Sequence, residues 1–208
     1  MIKAVLLDMD GTITKPYIDW RRLREEIGAP EGIPLLDYIY GLPGGEREKA
    51  LGTLEEREEE AALNAPLEEG AGELLRELRA MGVRTALVTN SNRRCAEIVL
   101  GRLGVEPDLV LSREDGRIKP SPDLVRKAVE ALGVSPEEAV MVGNGSYDLK
   151  ASEAAGVRFI LLRRPGYEIE HEPSVGSLSE VLVLLGRELC RYTSTDAVTA
   201  AGRRASWS

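Results

Sequence analysis

The chain has one histidine, His171, and two cysteines, Cys95 and Cys190. Chemistry that gathers several imidazoles around a metal is excluded. Two cysteines give no disulfide framework, and they fit a reducing compartment, so a cytoplasmic location is expected. Aromatic residues make up only 4%, and 27 Lys and Arg face 35 Asp and Glu, for a net charge of -8. Such a chain has no general positive field to draw in nucleic acid or an anionic membrane. Any anionic ligand must be gathered by a few local cations. No apolar stretch has the length of a membrane span. The first apolar run, Ala4 to Leu7, stops at Asp8, which is too early for a secretory leader.

What is present suffices for one core domain and a small accessory one, with 208 residues of which 43% are hydrophobic. Five apolar runs read as strands: Ile2–Leu7, Val83–Val88, Leu109–Leu111, Ala139–Val142 and Val157–Leu162. They are short, rich in Val, Leu and Ile, and hardly alternate, as strands buried on both faces do. Helical stripes lie between them. Leu67, Leu74, Leu75 and Leu78 form one; Ala96, Val99 and Leu100 a second; Leu124, Val125, Ala128 and Leu132 a third. Each closes on a glycine. Ser121-Pro122 and Ser135-Pro136 read as helix starts, and Ser135 with Glu138 as a capping box. Alternating strands and helices predict an α/β fold with a parallel sheet.

Residues 15–65 break the alternation. They carry no strand signal, a helical stripe at Trp20, Leu23 and Ile27, Gly/Pro punctuation at 41–45 and an acidic helical run from Glu46 to Leu63. This predicts a small helical cap inserted after strand one, with Lys15-Pro16 and Asn64-Ala65-Pro66 as hinges. The alternative is a long, immobile crossover. The expected division is a discontinuous core (1–14 and 66–190), the cap (15–65) and a tail (191–208) whose Ser, Thr and Ala content predicts disorder.

Chemistry collects at the carboxyl ends of the predicted strands, where α/β sheets bind ligands. Strand one ends in Asp8-Met9-Asp10-Gly11-Thr12. Two carboxylates at the mouth of a buried strand call for a cation, and oxygen ligands of this kind suit Mg2+. Solvated aspartates in a plain turn are the alternative. Strand two ends in Thr89-Asn90-Ser91-Asn92 before a helix, either an anion site or an ordinary helix cap by Ser91. Lys119, in Lys119-Pro120-Ser121-Pro122, is held extended by Pro120 and can neutralise phosphate, or is a surface lysine. Strand four runs into Gly143-Asn144-Gly145-Ser146-Tyr147-Asp148, where Asp148 is either a metal ligand or a helix-dipole partner.

These four segments together resemble the motifs of the haloacid dehalogenase superfamily, in the subclass with a small helical cap, which includes enzymes like phosphoglycolate phosphatase. The match runs over residues 1–14 and 66–165. It implies a Rossmann-like three-layer core with a central five-stranded parallel sheet. It also implies a Mg2+-dependent phosphatase of a small phosphorylated metabolite. Asp8 would be the nucleophile that becomes an aspartyl phosphate, and Asp10 the acid/base. Gly11, Thr12, Thr89, Asn90 and Lys119 would hold phosphate, with Asp8, Asp10, Asn144 and Asp148 around the metal. Asp10 argues against dehalogenase or phosphonate-cleaving relatives, which lack an acid there. A phosphomutase stays open, as does a module that binds phosphate with weakened turnover. Asn144 departs from the pattern, which has aspartate there, and predicts weaker Mg2+ binding. In the cap, Arg21, Arg22 or Arg24 could reach an anionic substrate, and Tyr38 or Tyr40 could line the closure.

Overall fold

The structure, a computed structural model, describes residues 1–166 and 169–186. Its centre is β1 (Ala4–Leu7), whose four residues are all buried. Around it lie β2 (Arg84–Val88), β3 (Leu109–Leu111), β4 (Ala139–Gly143), β5 (Arg158–Leu162) and β6 (Ser174–Val175), in the order β3-β2-β1-β4-β5-β6. Every pair is parallel. The sheet therefore has six strands rather than the five expected. The sixth is two residues long and directly follows Pro173, so it carries no apolar run that a sequence pattern could register.

Two apolar layers flank the sheet because successive residues of a strand point to opposite faces. Val5 and Leu7 join Leu74, Leu78 and Val99 on one side. Ala4 and Leu6 join Val125, Ala128 and Met141 on the other. The first layer is covered by α4 (Ala71–Ala80), α5 (Arg93–Leu103) and a helical segment over 178–186. The second is covered by α6 (Asp123–Ala131) and α7 (Ser146–Ala155). The predicted helix at Ser135-Pro136 is only a three-residue turn, Pro136–Glu138, because β4 begins at the next residue. α5 stops where the sequence pattern said, with Gly104 in the left-handed region at φ 70°.

Between β1 and α4 come three helices, α1 (Trp20–Ile27), α2 (Leu35–Gly41) and α3 (Gly44–Asn64). α2 was not anticipated. Its seven residues lie beside the Gly/Pro stretch and span under two turns, too few to show a period. The three helices share their own apolar cluster of Leu23, Leu35, Leu36, Ile39, Ala50 and Leu54. The segments leading in and out run side by side: Lys15 N donates to Pro66 O at 2.8 Å, and Glu68 N to Ile13 O at 2.8 Å. α3 leans on the sheet-flanking helix α5. Arg102 donates to the carbonyls of Ala62 and Ala65 at 2.6 and 2.7 Å, and Arg94 pairs with Glu59 at 2.6 Å. The tail, 191–208, lies outside the described residues.

Candidate active site

The carboxyl end of the sheet gathers the four segments. β1 delivers Asp8 directly, its backbone still in register through Asp8 N to Val142 O at 3.0 Å. The chain then turns sharply, with the amides of Thr12, Ile13 and Thr14 all donating to Met9 O. Gly11 makes the turn possible at φ 87°. A methyl group there would stand 2.4 Å from Asn144 Nδ2, so the backbone and that carboxamide lie against each other.

Lys119 is the hub. Its side chain is 2% exposed, and its ammonium donates to Asp8 Oδ1 at 2.6 Å, Asp148 Oδ1 at 2.7 Å and Val88 O at 2.7 Å. All three ammonium hydrogens are thus spoken for. Burial alone would lower this group, but Asp148 and Asp8 hold it above the ordinary lysine range. Asn90 fixes the lysine's backbone from both sides, accepting from Lys119 N at 2.9 Å and donating to Lys119 O at 2.8 Å. Asp148 Oδ2 accepts from Gly145 N at 3.0 Å.

The two aspartates of the first motif sit in different surroundings. Burial and then the charge of Asp148 push the Asp8 carboxyl up to about 7, against the pull of Lys119. Its other oxygen faces Thr12 Oγ1 at 3.5 Å. Asp10 is raised mainly by burial, and Ser91 works against this by donating to Asp10 Oδ2 at 2.7 Å. Two carboxylates with separate partners can carry separate roles.

Among the described residues, no three His, Cys, Asp or Glu side chains cluster around one point. An oxygen set that could hold a metal would therefore be mixed: the Asp8 and Asp148 carboxylates, the Asn144 carboxamide and the Asp10 backbone carbonyl. It fits Mg2+ by its chemistry. Asp8 and Asp148 share one ammonium with Asp10 close by, and burial and then the charge of Asp148 raise the Asp8 carboxyl, a cost that a hard dication would relieve.

A cavity of about 350 Å³ opens over these groups, with Asp8, Asp10, Asn90, Lys119, Asn144 and Asp148 on its floor. Thr89 is fully buried beneath it, its Oγ1 accepting from Ser91 N at 3.0 Å. The cap of α5 is Asn92, which accepts from Cys95 N at 2.8 Å, so Ser91 is freed to hold Asp10. Of the arginines expected to face a substrate, only Arg24 lines the cavity, and neither Tyr38 nor Tyr40 does.

Three groups escaped the sequence reading. Ser91 carries a sequence signal, but one for an anion site or a helix cap and not for a partner of Asp10. Glu58, on the acidic face of α3, is 4% exposed and lines the cavity, taking two bonds from Arg113 Nη1 at 2.6 and 2.8 Å. Burial pushes its carboxyl up to about 8 against the pull of Arg113. Arg164 donates to Gly11 O at 2.7 Å and pairs with Glu68 at 2.6 Å, bracing the turn from behind. Neither Glu58 nor Arg164 sits in a recognisable motif, since both act across more than 50 residues of chain.

A family model described as haloacid dehalogenase-like hydrolase matches residues 2–156. The chain is 33% identical over 180 residues to a putative pyrophosphatase PpaX of Caldanaerobacter subterraneus subsp. tengcongensis, covering 78% of this chain and 82% of that protein. It is 28% identical to an N-acetylmuramic acid 6-phosphate phosphatase of Pseudomonas aeruginosa, covering 91% and 97%. Among solved structures, a putative phosphoglycolate phosphatase from Lactobacillus plantarum shares the fold, with a TM-score of 0.69 at 20% identity over 88% of this chain and all of that one.

Proposed function

The chain belongs to the haloacid dehalogenase-like hydrolase family and is a phosphatase of that fold; we propose that it cleaves a small phosphate monoester through an aspartyl phosphate on Asp8, with Mg2+ as cofactor. The observation that carries this reading is the Lys119 ammonium at 2.6 Å from Asp8, beside an Asp10 held separately by Ser91 at 2.7 Å. Lys119 draws the buried Asp8 carboxyl back toward its anion, while burial raises the Asp10 carboxyl toward the form that keeps a proton.

Asp8 attacks phosphorus with the oxygen that Lys119 does not occupy, and the ester oxygen leaves as its bond to phosphorus breaks. Asp10, carrying its proton, gives it to that oxygen. In the second half Asp10, now ionised, takes a proton from water, which attacks the phosphoryl group and frees Asp8. Lys119 offsets charge on Asp8 and on the phosphoryl oxygens throughout, and its rigid seat means little reorganisation at the moment of reaction. Thr89, Asn90, Gly11 and Thr12 shape the phosphate end, with Asn90 acting largely through the Lys119 backbone it clamps. Asp8, Asp148, Asn144 and the Asp10 carbonyl would hold Mg2+, which when bound supplies charge neutralisation at phosphorus.

The helices over 15–65 act in this reading as a cap domain that excludes water from the cavity. Among the described residues no helix is long and apolar enough to cross a membrane. A cytoplasmic setting with a small phosphorylated metabolite as substrate accords with the acidic, cysteine-poor chain. The test is hydrolysis of a generic aryl phosphate with and without Mg2+. Turnover that requires the metal and vanishes in Asp8→Asn supports the reading. Turnover that survives in Asp8→Asn refutes it.

A further inference from the structure

The floor of the cavity is polar, but its upper wall is not. From the helical insert come Trp20, Pro34, Leu35, Leu36 and Leu54, and from the core Ile118. Ile169 and Tyr147 complete the rim. Trp20 and Tyr147 remain 39% and 37% exposed, so two of the chain's few aromatics stand open at one cavity, one from the insert and one from the core.

Of the charged groups along this wall, Glu58 is paired with Arg113, and Arg24 is bound to backbone carbonyls. Arg24 donates its Nη2 to the carbonyls of Pro30 and, at 2.6 Å, Ile33, which ties down the α1–α2 connection. Glu58 brings a carboxyl to the wall, and its partner Arg113 is spent on it and on Glu55. The pair carries no surplus positive charge. Asp10 adds a further acid below. Lys119, the cation of the floor, has all three hydrogens on Asp8, Asp148 and Val88.

We infer that the leaving group of the substrate is uncharged and apolar, of ring or short-chain size, and that the site discriminates against substrates bearing a second phosphate or a carboxylate. This rests on the phosphatase reading above and names its substrate class. It also sets this chain apart from relatives whose names specify pyrophosphate, since a second phosphoryl group would meet Glu58 and leucine side chains, with Arg24, the guanidinium of the lining, bound to the backbone of the α1–α2 connection.

The experiment is a panel of phosphate esters measured as kcat/KM with Mg2+, and as binding to Asp8→Asn protein by calorimetry, where turnover is not required. It includes an n-alkyl phosphate series, phenyl phosphate with its matched 4-carboxyphenyl phosphate, phosphoglycolate and pyrophosphate. Each added methylene is expected to raise kcat/KM about fourfold until the wall is filled, the equivalent of about 0.8 kcal/mol per buried methylene. Phenyl phosphate is expected to beat its carboxylated match at least tenfold in both readouts. A charged member that equals or beats its neutral match overturns the inference. If no ester is hydrolysed, the phosphatase reading falls, while the order of binding still decides this one. Arg24→Met separates the remaining alternative. An unchanged ratio of charged to neutral substrates is expected, and a fall in that ratio would assign Arg24 to a substrate anion and overturn the inference.

Discussion

Replacing Asp8 by asparagine should make the metal-free protein more stable, and increasingly so as pH rises. Folding carries this carboxyl from an ordinary value of 3.8 to about 7, chiefly by burial and by the neighbouring charge of Asp148. A raised carboxyl favours the protonated form in the folded state. Its contribution is therefore fully present below 3.8 and is lost as pH climbs through about 7. At pH 5 only part of the cost has accrued, and by pH 8 it is complete. The interval between them spans about two pKa units, or about 3 kcal/mol. Asparagine removes the charge and keeps an oxygen that Lys119 can still donate to. The assay is urea unfolding of both proteins at pH 5 and pH 8 in the presence of a chelator. The stability difference should grow by about 3 kcal/mol in favour of the variant. Saturating Mg2+ should narrow or reverse the gap, because only the wild type offers a full anion to the metal. A variant that is less stable at pH 8 under chelation, or a gap that ignores pH, would refute the electrostatic reasoning.

Ser91→Ala removes the bond that works against the burial of Asp10. The basic limb of the pH–rate profile, where the acid loses its proton, should move to higher pH, and kcat should fall about tenfold as Asp10 loses its anchor. An unshifted limb would contradict the role given to Ser91. Asn144→Asp should lower the Mg2+ concentration for half-maximal rate by about tenfold, the equivalent of about 1.4 kcal/mol. An unchanged value would mean that residue 144 does not face the metal. Gly11→Ala places a methyl group 2.4 Å from Asn144 Nδ2 at a φ of 87°. It should cost about 1–3 kcal/mol in urea unfolding and raise the Mg2+ requirement. Pairing it with Asn144→Ala should recover part of the stability loss, and strictly additive effects would show that the contact is unimportant.

The core of the fold was legible because its signals are local. β1, β2, β4 and β5 are runs buried on both faces, and such runs need no alternation to be recognised. β6 was not legible, because a two-residue strand is defined by its partner, with Leu162 opposite Val175, and not by its own pattern. The same contrast holds at the site. Asp8 at a strand end, and Lys119 and Asp148 in the segments that follow strand ends, are legible in the sequence, and the structure joins all three through one ammonium. Asn90 was expected to hold phosphate through its backbone, and the structure adds a role that no motif signals: its carboxamide clamps the Lys119 backbone from both sides. Glu58 lay hidden in an acidic helical run that reads as a solvated face. Only the packing of α3 on the core, and Arg113 arriving from the loop after β3, turn it into a buried wall of the cavity. Charge runs on helices report composition, and which member is buried depends on tertiary contacts that a 3.6-residue period does not encode.

The central claim is that phosphoryl transfer passes through Asp8. Its most direct test is to mix the protein with a hydrolysable phosphate ester and Mg2+, quench in acid within a turnover, and locate the phosphoryl group by peptide mass spectrometry. The account predicts one phosphoryl group on Asp8, lost on treatment with hydroxylamine and absent from Asp8→Asn. A phosphoryl group on any other residue, or turnover with none on Asp8 at any quench time, would contradict it.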